Sequence, residues 1–197
     1  MTSKKNRVII YIDSSNLYKG AQNYYGNGKL LHRKLCEKLA NGRQILKVKY
    51  FCVDPPEPLK GNYNLKTRKG VDEYHSANLK YVKQLKFLEI LDQWKKIELI
   101  RGRLQRSALS GKMNEKGVDV ALAIHLIADA LSGIHDVSIL ITGDADLVMP
   151  VRIIKNQFNI EVEGAAFQPC YHIMQAIGRE NFKYFNGDFS LEPFLKS

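Results

Sequence analysis

Cysteine is scarce in this sequence, which has three copies in 197 residues. Cys36, Cys52 and Cys170 are odd in number, far apart and set among apolar residues, which argues against a disulfide framework or a zinc cluster and predicts buried thiols. No stretch approaches the roughly 20 consecutive apolar residues of a membrane helix. Residues 1–7 are polar and basic, without the uncharged apolar core of a signal peptide after them. A cytoplasmic protein that does not cross a membrane is therefore expected.

Acidic residues are also under-represented, since 20 Asp and Glu stand against 30 Lys and Arg and leave a formal net charge of +10. Between Lys60 and Lys116 there are 14 basic residues and six acidic ones. Such a concentration of one charge predicts a surface for an anionic partner such as a nucleic acid, although a solvated, solubilising charge run is the alternative. The candidate phosphate-binding residues are Lys66, Arg68, Lys69, Arg101, Arg103 and Lys116.

Short apolar, β-branched runs alternate with helical patterns along the whole chain. Strands are predicted at residues 7–12, 44–53, 97–104, 137–141 and 160–164, and helices after Asp13, at 32–39, at 71–92, from Val118 and at 148–158. This alternation predicts one α/β domain over residues 1–197, with a mostly parallel sheet and helices on both faces in three layers. Residues 60–70 are predicted to be a flexible loop, His32 to lie at the surface, and residues 165–197 to pack on the sheet or close it.

Acidic side chains follow three of the predicted strands at their carboxyl ends, although the two prolines after Asp54 favour a loop role for that acid. Asp13 ends the first strand, and Asp144 and Asp146 follow the strand at residues 137–141. Ligands bind at this edge of an open α/β sheet, and neighbouring carboxylates repel each other unless a cation or a proton neutralises them. Asp119, in the first turn of a predicted helix, should lie at the same edge. Helix capping would explain each acid separately, but their conjunction predicts a metal site.

Three motifs contain these acids. They read Tyr-Ile-Asp-Ser-Ser-Asn-Leu at residues 11–17, Glu-Lys-Gly-Val-Asp-Val-Ala-Leu-Ala at 115–123 and Ile-Thr-Gly-Asp-Ala-Asp-Leu at 141–147. In this order and spacing they resemble the motifs of the NYN domain, a PIN-like nuclease fold, over residues 7–164, and most closely its LabA-like branch. The resemblance implies a set of catalytic, metal-binding carboxylates with two supporting polar residues. The carboxylates are Asp13, Asp119, Asp144 and Asp146, and the supporting residues are Asn16 and Thr142.

The resemblance also implies a reaction. Oxygen ligands select Mg²⁺ or Mn²⁺, which would support hydrolysis of phosphodiester bonds without a nucleophilic side chain. Single-stranded RNA is the expected substrate in preference to DNA, cut internally and leaving a 5′-phosphate. The chain departs from many relatives at His125, where they carry a further acid, and at Ala145, where Ser or Gly is commoner. The absence of this acid argues against a second bound metal ion more than against the first.

Two other functions stay open on the sequence alone. A nucleic-acid-binding or regulatory module would keep the same fold without cutting its ligand, but retention of all four acids favours the nuclease. An aspartyl-phosphate phosphatase also uses an Asp at the end of its first strand, but it usually has a second Asp two residues later, where this chain has Ser15. The sequence leaves the number of subunits open, and a homo-oligomer is one of the alternatives.

Overall fold

The computed structural model describes residues 6–106 and 113–196, so the expectation about residues 1–7 falls largely outside the described residues. Within these ranges the longer elements follow one another in alternation. They are β1 (Arg7–Asp13), α1 (Ser14–Tyr25), α2 (His32–Ala40), β2 (Gln44–Cys52), α3 (Arg68–Asp92), β3 (Ile97–Arg101), β4 (Arg103–Arg106), β5 (Met113–Lys116), α4 (Val118–Ser132), β6 (Val137–Ile141), α5 (Val148–Phe158), β7 (Glu161–Ala166), α6 (Tyr171–Ile177) and β8 (Phe182–Tyr184).

Six of the strands form one parallel sheet in the order β3-β2-β1-β6-β7-β8. The chain builds outward from β1 to β3, then crosses back to place β6 on the other side of β1. The switch point therefore lies between β1 and β6, and in open α/β sheets this is where ligands bind. Ile12 of β1 pairs with Tyr50 of β2 and with Ile141 of β6, so these strands end at the same edge.

Apolar side chains project from both faces of the sheet. Val8, Ile10 and Ile12 of β1 belong to one buried cluster, which contains residues of α1 and α2. Ile9 and Tyr11 belong to a second cluster, which contains residues of α4, α5 and α6. Because alternate residues of a strand point to opposite faces, β1 contributes to both cores. The predicted three-layer α/β architecture is confirmed, and the three cysteines are free and buried, as expected.

Two predicted boundaries were wrong. Helix α3 begins at Arg68 because the Thr67 hydroxyl oxygen accepts a hydrogen bond from the Gly70 N–H at 3.1 Å, so the end of the predicted flexible loop is helical. The predicted strand at residues 97–104 is two strands. Its first half joins the sheet as β3, and after Gly102 the chain enters a separate hairpin in which β4 pairs antiparallel with β5.

The prediction that His32 lies at the surface was also wrong. His32 is 7% exposed, its ring lies against those of Tyr50 and Phe87, and its Nδ1 lies 3.0 Å from the Leu30 carbonyl oxygen. Burial lowers the pKa of His32 to about 4, so the ring is neutral at pH 7.

The C-terminal segment extends the sheet beyond the predicted last strand. β8 pairs parallel with β7, and Phe182 lies opposite Gly164. A Cβ at Gly164 would meet the Phe182 ring at 2.4 Å, so this pairing requires a glycine. Phe185, just after β8, is fully buried in the first core cluster. Strand β8 and Phe185 thus pack on the sheet.

Candidate active site

Asp13 is the most deeply buried acid at the carboxyl edge of the sheet, with 5% exposure. It ends β1 and caps α1, since its Oδ1 accepts a hydrogen bond from the Asn16 N–H at 3.0 Å. Its Oδ2 accepts a hydrogen bond from the Thr142 hydroxyl at 3.1 Å. Burial raises the pKa of Asp13, and the negative charges of Glu115 and Asp144 raise it further, although the two hydrogen bonds oppose this shift. The fold therefore holds this carboxylate where its charge is unfavourable.

Thr142 and Gly143 connect Asp13 to the second acidic segment. The Thr142 hydroxyl, which donates to Asp13, accepts a hydrogen bond from the Asp144 N–H at 3.2 Å. The Asn16 side-chain oxygen accepts a hydrogen bond from the Gly143 N–H at 3.1 Å. A Cβ at Gly143 would lie only 3.3 Å from the Cys170 Cβ, so the turn is closely packed. The two predicted supporting residues thus both lie between the acids.

Asp144 and Asp146 lie at the short 3₁₀ turn Ala145–Leu147 that leads into α5. Asp144 is half-buried and Asp146 is exposed. The Asp144 Oδ1 accepts a hydrogen bond from the Asp146 N–H at 2.9 Å, which caps the turn. Buried Leu147 anchors the turn in the second core cluster. Capping by Asp13 and Asp144 is therefore real, but it uses only one oxygen of each carboxylate and leaves acceptor capacity.

Glu115 reaches the same edge from the β4–β5 hairpin, and Asp119 reaches it from the start of α4. Asp119 is exposed in the first turn of α4, after Gly117, whose φ of 82° turns the chain into the helix. Partial burial raises the pKa of Asp119, and the charges of the four other acids raise it further. We call these five residues the acid cluster: Asp13, Glu115, Asp119, Asp144 and Asp146. Glu115 was missed by the sequence analysis, and its only signal was its position within the second motif.

The acid cluster has no basic partner within the described parts of the chain, where the ion pairs all involve other acids. Nor do any three His, Cys, Asp or Glu side chains in residues 6–106 and 113–196 lie close enough together to hold a metal ion. The neighbouring acids thus raise the pKa values of Asp13 and Asp119 without forming a closed set of ligands. Their donor atoms are all oxygens, which suits Mg²⁺ and Mn²⁺ rather than softer metals.

Basic side chains lie on the hairpin that carries Glu115, on its opposite face. Arg103 of β4 and Lys116 of β5 are direct cross-strand neighbours, and Lys116 follows Glu115. Like charges directly opposite each other destabilise a hairpin, so this pair favours an anion between or above it. Arg101 differs, because its Nε donates to Asp54 Oδ1 at 2.9 Å. An exposed ion pair of this kind is weak and does not prevent binding to a phosphate.

A second basic group surrounds the start of α3. Lys66, Arg68 and Lys69 are all exposed on either side of the Thr67 cap. Lys69 approaches Glu73 only at 3.9 Å, which leaves its ammonium largely available. The structure therefore places the predicted phosphate-binding residues in two groups on different elements.

A buried polar network below the acid cluster was not anticipated. Lys49 Nζ lies 2.6 Å from one oxygen of Asp129 and 2.8 Å from the other, and 3.0 Å from His125 Nδ1. The Tyr11 hydroxyl donates to Asp129 at 2.9 Å, and burial followed by the Asp129 charge raises the pKa of Tyr11. His125 is thus a half-buried residue that is hydrogen-bonded to Lys49 and packs against Phe51, as expected. The network fastens α4, and with it Asp119, to β1 and β2.

A parallel sheet with acids at the edge beside its switch point defines an open α/β domain. The family model of the NYN domain matches residues 7–178, and the chain belongs to this family, whose fold is that of PIN-like nucleases. A solved structure from Vibrio parahaemolyticus, of a protein of unknown function, has the same fold. It aligns over 100% of both chains with a TM-score of 0.68 and 20% sequence identity. No curated protein matches the chain significantly. Of the helices that the structure describes, none is long and apolar enough to cross a membrane.

Proposed function

We propose that this protein is a metal-dependent nuclease that hydrolyses phosphodiester bonds of single-stranded RNA at the acid cluster. One observation carries the proposal: acids from β1, β5, α4 and the turn after β6 lie near enough to one another for their charges to raise the pKa values of Asp13 and Asp119, without a basic partner among the described residues. Such mutual repulsion destabilises the fold unless a cation offsets it. Membership of the NYN family supports a nucleic acid as the substrate.

The oxygen donors of the cluster fit Mg²⁺ or Mn²⁺. Asp13 and Asp144 would hold the ion first, because the Thr142 hydroxyl links their segments, and Asp119 and Asp146 would complete the set. Bound there, the ion would polarise a phosphoryl oxygen and lower the pKa of a water molecule. Thr142 orients Asp13 throughout.

The position of the RNA follows from the charges around the cluster. Arg103 and Lys116 would bind phosphates of the RNA strand that pass along the opposite face of the hairpin that carries Glu115. Lys66, Arg68 and Lys69 would bind phosphates further along the strand. Internal cleavage, and RNA rather than DNA, belong to the same proposal and are supported by the family resemblance alone.

The replacement of Asp144 by Asn tests the nuclease proposal. Loss of a direct metal ligand should reduce cleavage of a labelled single-stranded RNA in Mn²⁺ by more than the roughly 10- to 100-fold that an outer-shell residue contributes. The fold should be preserved, because Asn keeps the capping oxygen. Asp92→Asn is the matched control, since Asp92 is an exposed acid at the end of α3. Cleavage by the Asp144→Asn protein at the native rate would refute the assignment.

A regulatory RNA-binding module is the second candidate. It is favoured by the finding that no three potential ligand side chains converge among the described residues. Isothermal titration with Mn²⁺ separates the two functions without relying on activity. A nuclease should bind Mn²⁺ in the native form and lose that binding in Asp13→Asn, whereas the module should bind RNA equally well with and without the ion.

The proposal covers residues 1–197 as one domain of a cytoplasmic homo-oligomer in the LabA-like branch. Free, buried cysteines are consistent with a reducing compartment. Self-association is supported by the outer face of α4, where Val120, Ile124 and Leu131 are exposed. Spacings of four and seven residues place these side chains on one stripe of the helix, and a second copy would cover this stripe.

A further inference from the structure

An open groove lies between α3 and the proline-rich segment that follows β2. It encloses about 500 Å³, which lies within the usual range for small-molecule sites. One wall carries Pro55 and Pro58, and the other is a single face of α3 with Ala77 and Tyr81. Leu59 and Met113 at its margins are exposed apolar side chains, so the residues that the structure describes do not fill the groove.

Aromatic rings are available in this groove. Tyr63 and Tyr81 line it, and both are half-buried. The Tyr63 ring is held in place by an edge-to-face contact with Tyr74 of α3, with 5.5 Å between centroids. Neither the Tyr63 nor the Tyr81 hydroxyl forms a hydrogen bond within residues 6–106 and 113–196. Rings presented in this way are the stacking platforms on which proteins hold unpaired bases.

Polar groups line the same groove at positions that suit the edge of a base. Asn62 and Gln84 offer both amide donors and acceptors, and the Glu57 carboxylate can accept from an exocyclic amino group. Lys80 supplies a cation for a phosphate. Lys80 and Glu57 balance each other, but residues 60–86 as a whole carry seven basic and two acidic side chains. The basic residues around the groove therefore attract a polyanion. The side chains that line the groove suit a flat ring with hydrogen-bonding groups on its edge.

Strand β5 connects the groove with the acid cluster. Met113 at its margin and Glu115 in the cluster are two residues apart on β5, and alternate residues of a strand point to the same face. Their Cα atoms are therefore about 7 Å apart. An RNA strand whose base lies in the groove therefore needs to extend only a short way along β5 to reach Glu115.

We propose that this groove is a binding subsite for an unstacked nucleobase of single-stranded RNA, next to the nucleotide whose phosphate is cut. The subsite rests on the proposed nuclease function and specifies how that site takes its substrate. Tyr63 and Tyr81 stack on the base, Asn62 and Gln84 bind its edge, and Lys80 binds the adjoining phosphate. Double-stranded RNA is excluded, because a paired base cannot enter the groove.

Binding of a fluorescein-labelled ten-nucleotide uridine RNA tests the subsite in the Asp13→Asn background, where cleavage plays no part. Loss of one base–ring stack in Tyr81→Ala should raise the dissociation constant about 5- to 100-fold. Tyr81→Phe keeps the ring and should remain within about twofold. Tyr24→Ala is the matched control, because Tyr24 is an exposed tyrosine of α1 outside the groove. It should bind like the background.

Exposed Lys80 provides a second variant that does not disturb packing. Lys80→Glu should weaken RNA binding and reduce the slope of log affinity against log salt concentration by about 0.7 or more. Native affinity in both Tyr81→Ala and Lys80→Glu would overturn the subsite. So would tight binding of a decaproline peptide that Tyr81→Ala abolishes while RNA affinity is unchanged, since the groove would then belong to a protein partner. Mn²⁺-dependent cleavage by the native chain is measured separately, so either proposal can fail while the other stands.

Discussion

At the residue scale, Asp13 serves both the fold and the proposed chemistry. One carboxylate oxygen caps α1 and the other accepts from Thr142, so the side chain is held rigidly at the end of β1. The same position removes it from water and exposes it to Glu115 and Asp144, which raises its pKa. The Asp13 carboxylate thus stabilises α1 by accepting a hydrogen bond, but its negative charge destabilises the folded state.

Replacing Asp13 by Asn should therefore stabilise the metal-free protein at pH 7. The pKa of Asp13 is raised in the folded state, so the stability that its protonated form contributes is present below its ordinary pKa and is lost as pH rises through the raised value. Asn keeps the cap without the charge. The gain should be about 0.5–2 kcal/mol, seen as a higher melting temperature at pH 7 that shrinks towards acidic pH.

Calorimetry with and without Mn²⁺ checks both parts of this prediction. Saturating Mn²⁺ should raise the melting temperature of the native protein, because it binds only the folded state, and should leave Asp13→Asn unchanged. A metal-free Asp13→Asn protein less stable than the native one at pH 7 would show that hydrogen bonding, and not charge, dominates at this position.

At the element scale, the attachment of α4 to the sheet depends on a buried ion pair. Lys49 and Asp129 have side chains only 6% and 14% exposed. Lys49→Met should destabilise the protein by about 3–5 kcal/mol, because it leaves the Asp129 carboxylate buried without its cation. The double variant Lys49→Met/Asp129→Leu should recover most of that loss, since two apolar groups need no partner.

Urea denaturation of the single and double variants measures this coupling. Lys47→Met is the matched control, because Lys47 lies on the same strand and pairs with Glu98 at 3.0 Å in an exposed position. It should change stability by at most about 1 kcal/mol. If the double variant were as unstable as Lys49→Met, packing rather than uncompensated charge would explain the effect.

At the scale of the whole molecule, the net charge is distributed unevenly. For RNA binding, the position of the basic residues should therefore matter more than the total charge. Reversing Lys66, Arg68 and Lys69 together should weaken binding of single-stranded RNA and reduce the salt slope by about 0.7 for each phosphate that the protein no longer neutralises. Filter binding by the Asp144→Asn protein across a salt series measures this slope. Affinity for Mn²⁺ should change little, because the metal site uses other segments.

A control with the same change of net charge separates position from total charge. Lys19, Lys34 and Lys38 are exposed on α1 and α2, outside the basic segment. Their triple reversal should leave the salt slope close to native. If both triple variants behave alike, residues 66–69 are a solvated charge run, and phosphate binding must be sought on the β4–β5 hairpin.

The sequence by itself determined the α/β layers and the ends of the central strands. β-branched runs such as residues 8–12 must be buried on both faces, and this requirement acts over a few neighbouring residues, so it can be read locally. The acids Asp13, Asp144 and Asp146 directly follow such runs. Their place at the edge of the sheet then follows from parallel pairing.

Tertiary structure alone decided which residues from distant segments meet. Glu115 joins the acids only because the chain leaves the sheet at Gly102 and returns as a hairpin. Lys49 interrupts an apolar strand, and its partner Asp129 lies 80 residues away. His32 is buried because aromatic rings from β2 and α3 cover it. Such pairings depend on long-range packing, which no local pattern of hydrophobicity or charge encodes.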